Sequence, residues 1–156
     1  MKQVKILDWI IEVDPVKTKE FYKQLTTPSV SCGCLYCQNF EKAVPNLPET
    51  FLEALAELGI DIYKAIEVYE ICEIENGIHL YGGWYHLNGR IAEGNDSFST
   101  PVHGKGQQAN LQQLEDNFFL GFTEGTNLVP KDFPEPVLQI EFTGNLPWLL
   151  NETPNQ

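Results

Sequence analysis

An α+β domain, with an antiparallel sheet of about four to five strands and helices from the N-terminal half packed on it, is the fold class this chain predicts. Three observations carry the expectation. Residues 65–75 and 78–87 are rich in β-branched and aromatic side chains and are separated only by Asn76-Gly77, the strongest short hairpin signal. Residues 137–143 alternate Leu138, Ile140 and Phe142 with Gln139, Glu141 and Thr143, the two-residue period of a strand. Phe51, Leu52, Leu55 and Leu58 recur at helical spacing, and such an apolar stripe must be laid on a surface like that sheet.

In chain order, residues 4–13 read as one strand, because Leu7, Trp9, Ile11 and Val13 alternate while Ile6 and Ile10 add apolar character to the other side. Asp14-Pro15 opens a short helix, with Asp14 as cap and Pro15 in the first helical position. Pro28 ends it, since the residue before proline is pushed out of the helical region. Residues 38–44 allow two helical turns before Pro45. In the following helix Glu49 suits the positive first turn, Gly59 offers a left-handed C-terminal residue, and Ile60 can fold back onto Leu55.

A two-residue turn at Asn76-Gly77 fixes a register in which partners' numbers sum to 153. Cys72 then faces Tyr81, Glu70 faces Gly83 and Glu67 faces His86. Both faces of this hairpin carry apolar residues, so helices are expected on one side and further strands or the termini on the other. A bulge would shift the pairing beyond it. Residues 88–117 turn polar, and 94–113 read as a long loop, either a lid or a disordered segment. Residues 118–123 form another strand, joined to 137–143 by a proline-rich link. Leu146-Pro147-Trp148-Leu149-Leu150 is too apolar to dangle and is expected on the sheet, which makes 1–150 a single domain and 151–156 a frayed tail.

Composition narrows the function classes. The chain has 156 residues, 42% of them apolar and 21% charged, within the range of a soluble single domain. Its formal net charge of −12, with no local basic run, argues against nucleic acid and against an anionic membrane surface as partners. The first twelve residues are broken by Asp8 and Glu12, unlike an export signal, and no stretch reaches the roughly twenty apolar residues of a spanning helix. A cytoplasmic location is therefore expected, where clustered cysteines stay reduced or bind metal.

Residues 31–40 hold three of the four cysteines, Cys32, Cys34 and Cys37, within six positions. Three thiolates suit a zinc ion, which takes four protein ligands in structural sites, and Cys72, His79, His86 or His103 are candidates for the fourth. With only three protein ligands the open position would suit catalysis through a bound water. Cys34-Leu35-Tyr36-Cys37 alone is also a redox spacing, with a following helix to favour a thiolate, although a helix and a Thr-Pro turn precede it where thioredoxin has a strand. The plain alternative is three reduced cysteines lining a turn as small hydrophobes.

Two other constellations carry chemistry. Glu67 opposite His86 would be a carboxylate-oriented imidazole, the usual general base, or equally an ordinary cross-strand pair. Glu70, placed among Tyr81 and Tyr85, would be a carboxylate raised by burial or one that reaches water at an edge. His103, in a Gly-rich loop, is a lid residue or a loop histidine without a task. Gly104-x-Gly106 lacks the strand and the Gly-Lys-Ser/Thr pattern of a phosphate loop.

The layout of Cys34-x-x-Cys37-x-Asn39-Phe40, Leu58-Gly59-Ile60-Asp61, Gly82-Gly83-Trp84-Tyr85-His86 and Leu146-Pro147-Trp148 resembles a group of small uncharacterised bacterial cytoplasmic proteins. The resemblance implies a single bacterial cytoplasmic domain and implies no substrate, cofactor or catalytic residue. The leading expectation is a non-enzymatic binding or interaction module for a protein or small-molecule partner, with a structural zinc at Cys32, Cys34, Cys37 and Cys72. A metal-dependent or acid-base enzyme using the cysteines or Glu67 and His86 is the alternative, and a thiol redox protein is the third.

Overall fold

The computed structural model describes residues 1–98 and 110–154, so His103 and most of the expected loop lie outside the described residues. Residues 2–13 form two strands, β1 (Lys2–Ile6) and β2 (Trp9–Val13), rather than one. Leu7, at φ 50°, adopts the left-handed conformation and reverses the chain so that Ile6 pairs with Trp9. The alternation conceals this turn because Leu7 is apolar and in phase with Trp9.

Four helices follow. In α1 (Pro15–Tyr22) the Asp14 carboxylate accepts the Lys17 N–H at 2.9 Å, and Pro15 stands at the start as its missing N–H allows. Next come α2 (Pro28–Cys32), α3 (Leu35–Ala43) and, after a single 3-10 turn, α4 (Glu49–Glu57). The last ends as its sequence predicts, with Gly59 at φ 84° and the Ile60 N–H reaching the Leu55 carbonyl at 2.9 Å. Glycine is required there twice over, since a Cβ would run into the Pro15 carbonyl oxygen.

The sheet has seven antiparallel strands, more than the four or five expected: β1 and β2, then β3 (Glu67–Glu75), β4 (Ile78–Glu93), β5 (Gln112–Glu115), β6 (Phe118–Thr123) and β7 (Val137–Pro147). Their order is β1-β2-β4-β7-β6-β5, with β3 also on β4. The surplus comes from the split of the first strand and from β5, a polar edge strand that begins at the end of the stretch expected as loop. An edge strand with its side chains half in water lacks the apolar alternation that marks an interior one.

The long strand β4 organises the molecule. Along one side it pairs with β7 from Ile78 to Asn88. Its other side is shared, β3 pairing with Ile78–Trp84 and β2 with Gly89–Glu93. Between these two strands α1 supplies the partners instead. The Tyr22 hydroxyl donates to the His86 carbonyl at 2.7 Å and accepts the His86 N–H at 3.1 Å. Thr18 Oγ1 accepts the Asn88 N–H at 3.0 Å, and the Asp14 N–H donates to the Asn88 carbonyl at 2.9 Å. Buried backbone groups must be paired, and here two helix side chains and the N–H of the helix cap pair them.

The hairpin forms at Asn76-Gly77, with Gly77 at φ 82°, but its register departs from the simple count. Bulges between Glu70 and Cys72 and between Glu73 and Glu75 each add a residue to β3, so Glu67 pairs with Trp84, Glu70 with Tyr81 and Cys72 with Leu80. Glu67 therefore does not face His86, which pairs with Gln139 of β7. Tyr81, Tyr85, Leu138, Ile140 and Phe142 turn toward α3 and α4 and are buried with Phe40, Phe51 and Leu55. Phe118 stacks on Phe142 with centroids 6.0 Å apart, and Phe51 lies 4.6 Å from Phe118. Leu146 is buried, and Trp148 closes the C-terminal end by donating its indole N–H to the Glu152 carbonyl at 2.7 Å. Among the described residues no helix is long and apolar enough to cross a membrane.

Candidate metal centre

The cysteine cluster is made by the collision of two short helices. Pro28 starts α2, which stops at Cys32 because Gly33 takes the left-handed conformation at φ 75° and returns its N–H to the Ser29 carbonyl at 2.8 Å. One residue later Cys34 is already the N-cap of α3, its sulfur accepting the Cys37 N–H at 3.4 Å. Glu41 clamps the two helices together, one carboxylate oxygen taking the Ser29 hydroxyl at 2.6 Å and the Ser29 N–H at 3.3 Å. The spacing C-x-C-x-x-C thereby becomes a pocket of sulfur. The three Sγ atoms all lie within 4.8 Å of one another.

That separation suits a shared ion. Zinc–sulfur bonds of about 2.3 Å at tetrahedral angles set sulfurs roughly 3.8 Å apart, a rotamer adjustment away. The three differ in access: Cys32 is exposed, Cys34 half-buried and Cys37 buried. They differ in proton affinity too. Burial resists the charge on Cys34, but the Cys37 N–H, the Cys32 and Cys37 thiols and the Tyr36 N–H all point at it and bring its pKa below the ordinary thiol value. Cys37 moves the opposite way, raised by burial, by donating to its neighbours and by their nearby charge. Relative to an ordinary cysteine, Cys34 is thus shifted toward its thiolate and Cys37 toward its thiol.

Around the sulfurs stands a polar shell the spacing alone does not announce. The Tyr81 hydroxyl donates to the Tyr36 carbonyl at 2.8 Å, and Asn39 joins α3 to the C-terminal segment through the Pro147 carbonyl at 3.1 Å and the Leu149 N–H at 2.7 Å. His79 is buried beside this shell, its Nδ1 2.8 Å from Glu70 and its Nε2 3.6 Å from Glu73. Tyr36 and Trp148 cover its ring, with centroids 6.5 and 5.1 Å away. The bulges that displaced the hairpin register are what bring Glu70 and Glu73 to the histidine.

The expected site residues are thus divided. Cys32, Cys34 and Cys37 come together; Cys72 is exposed on β3 opposite Leu80 and is not part of the sulfur group. Glu70 is paired to His79 rather than lodged opposite Gly83. Glu67 lies opposite Trp84, away from His86.

His86 belongs to a separate row on the sheet face turned away from α3 and α4. Gln139 Oε1 accepts the Asn127 N–H at 2.8 Å, which fixes the amide orientation, so His86 Nε2, 3.0 Å from the same oxygen, must carry a proton and donate it. Gln139 Nε2 in turn donates to Glu141 at 2.7 Å. His86 Nδ1 is buried with no partner. Burial lowers the His86 pKa against the opposing pull of Gln139, and raises that of Glu141 against the same residue. The one sequence signal for this row was the polar half of the 137–143 alternation. Comparison of the chain with family models, with curated proteins and with solved structures finds no match.

Proposed function

We propose that the chain is a metal-binding module in which Cys32, Cys34 and Cys37 hold one zinc ion as thiolates, leaving the fourth position for a partner or solvent. The observation that carries this reading is the convergence of three sulfurs within 4.8 Å at the junction of two helices. The donor set fits: thiolate sulfur is the ligand zinc takes most readily in cysteine-rich sites, and three such charges would offset the ion's own. A closed structural site would need a fourth protein ligand, and none of the described residues joins the group. A three-sulfur site with an exposed rim suits a docking role, in which a protein or small molecule completes the coordination. Thiols kept free for an ion belong in a reducing compartment such as the cytoplasm.

Elemental analysis with a thiol count tests the reading. Protein purified without chelator should carry about one zinc per chain and show one reactive thiol, Cys72, rising to four when the ion is removed in denaturant. A metal-free chain that takes up no added zinc, with four titratable thiols throughout, would sink it.

A further inference from the structure

We propose that Cys34 and Cys37 form a hydroperoxide-sensitive dithiol whose oxidation dismantles the three-sulfur site; the inference deepens the metal reading and rests on it. Three thiols within 4.8 Å of one another are one rotamer change from an S–S bond. Which pair closes follows from position. The Cys37 N–H holds the Cys34 sulfur over the first turn of α3 at 3.4 Å, so the two side chains already share that turn. Cys34 is half-buried and reachable from outside, whereas Cys37 is buried and is met only through its neighbours. Cys32 and Cys34 have only Gly33 between them, so a disulfide there would close the smaller and more strained ring.

The chemistry balances with a hydroperoxide as the sole oxidant. The Cys34 sulfur attacks the distal oxygen of ROOH, an S–O bond forms as the O–O bond breaks, and ROH leaves with the thiol proton. The Cys37 sulfur then attacks the sulfenic sulfur of Cys34. An S–S bond replaces the S–O bond, and the departing hydroxide leaves as water with the Cys37 proton. Two electrons pass from the two thiols to the peroxide. Of the three sulfurs only Cys32 then remains a thiol, and one thiolate does not retain an ion that three held. Cys72, exposed and outside the sulfur group, is the internal control for mere accessibility.

The test treats the zinc-loaded chain, and the same chain stripped by chelator, with one equivalent of hydrogen peroxide. Expected are a loss of about 2 Da, a peptide map linking Cys34 to Cys37, and release of one zinc per disulfide into a chromogenic chelator, all reversed by a thiol reductant and added zinc. In Cys37→Ser the reaction should stop at a sulfenic acid on Cys34, trapped by a 1,3-diketone. Stoichiometric zinc that survives the oxidant, or oxidation landing first on Cys32 or Cys72, overturns the inference and leaves the metal reading standing. A reduced chain that takes up no zinc overturns both.

Discussion

Two groups of side chains among the described residues, the cysteine turn and the row of His86, are built on opposite plans. At the cysteine turn the three sulfurs lie within 4.8 Å of one another, and of the backbone the Cys37 and Tyr36 N–H groups point at the Cys34 sulfur. In the row His86–Gln139–Glu141 nearly every donor and acceptor is matched with another inside the sheet, and Gln139 alone serves three partners. The first has spare valence and an open side. The second is closed, and its one loose end, His86 Nδ1, is sealed from water. A histidine in a row with a carboxylate resembles a general base by residue type, yet here it belongs to the closed network. What separates a site from a structural network is what remains unpaired and reachable.

The contrast predicts that the two places fail differently. The largest effect should come from Gln139→Leu, which strands the His86 N–H, the Asn127 N–H and the Glu141 carboxylate together. Each lost partner of a buried group costs about 1–3 kcal/mol, so denaturant unfolding should show a loss of about 4 kcal/mol, while zinc binding is unchanged. A loss under 1 kcal/mol would show that the row is not closed. Cys34→Ser should reverse the pattern: zinc affinity in a competition titration falls roughly a hundredfold, about 2.7 kcal/mol, while the stability of the metal-free protein moves by less than 1 kcal/mol.

Tyr22→Phe probes the seam beside the row. Removing the hydroxyl unpairs both the N–H and the carbonyl of His86, and a loss of about 2 kcal/mol is expected, visible as a fall in Tm of several degrees. A smaller signature lies in pH. His86 is held neutral by burial, with its pKa lowered from 6.5, so below pH 6.5 the unfolded chain binds the extra proton and stability falls with acidity. Glu141, raised from 4.5, acts in the other direction, since its stabilising contribution is present at low pH and lost as pH rises through its folded value. In metal-free protein, His86→Gln should therefore shrink the difference in Tm between pH 7.5 and pH 5.5. The smallest effect belongs to Cys72→Ser, which should leave zinc stoichiometry and stability within error. A lost zinc there would bring Cys72 into the site.

The elements with strong local signals were legible. Asp14-Pro15, the stripe from Phe51 to Leu58, Gly59 and the Asn76-Gly77 turn all appear as read, because caps, turns and helical periods are written in neighbouring residues. The three-sulfur cluster was legible for the same reason, lying within six positions. The strand count and the register were not. A left-handed Leu7 and two bulges in β3 leave no mark in polarity, yet each slip changes which side chains meet. That is why Glu67 was matched to His86, while the pairing of His79 with Glu70 went unseen; Cys72 was offered as the fourth ligand simply as the remaining cysteine. The Gln139 row depends on contacts across β4 and β7, more than fifty residues apart, which no local pattern encodes.

The break between β3 and β2 along β4 has a consequence for how the protein moves. The amides of His86 and Asn88 lie in the middle of the longest strand, where hydrogen–deuterium exchange is ordinarily slowest. Their acceptors, however, are hydroxyls of Tyr22 and Thr18 on a helix of eight residues. When α1 lifts away these two amides lose their protection without any strand separating, so they should exchange at the rate of helix undocking rather than of global unfolding. The centre of the sheet is thus only as closed as its first helix.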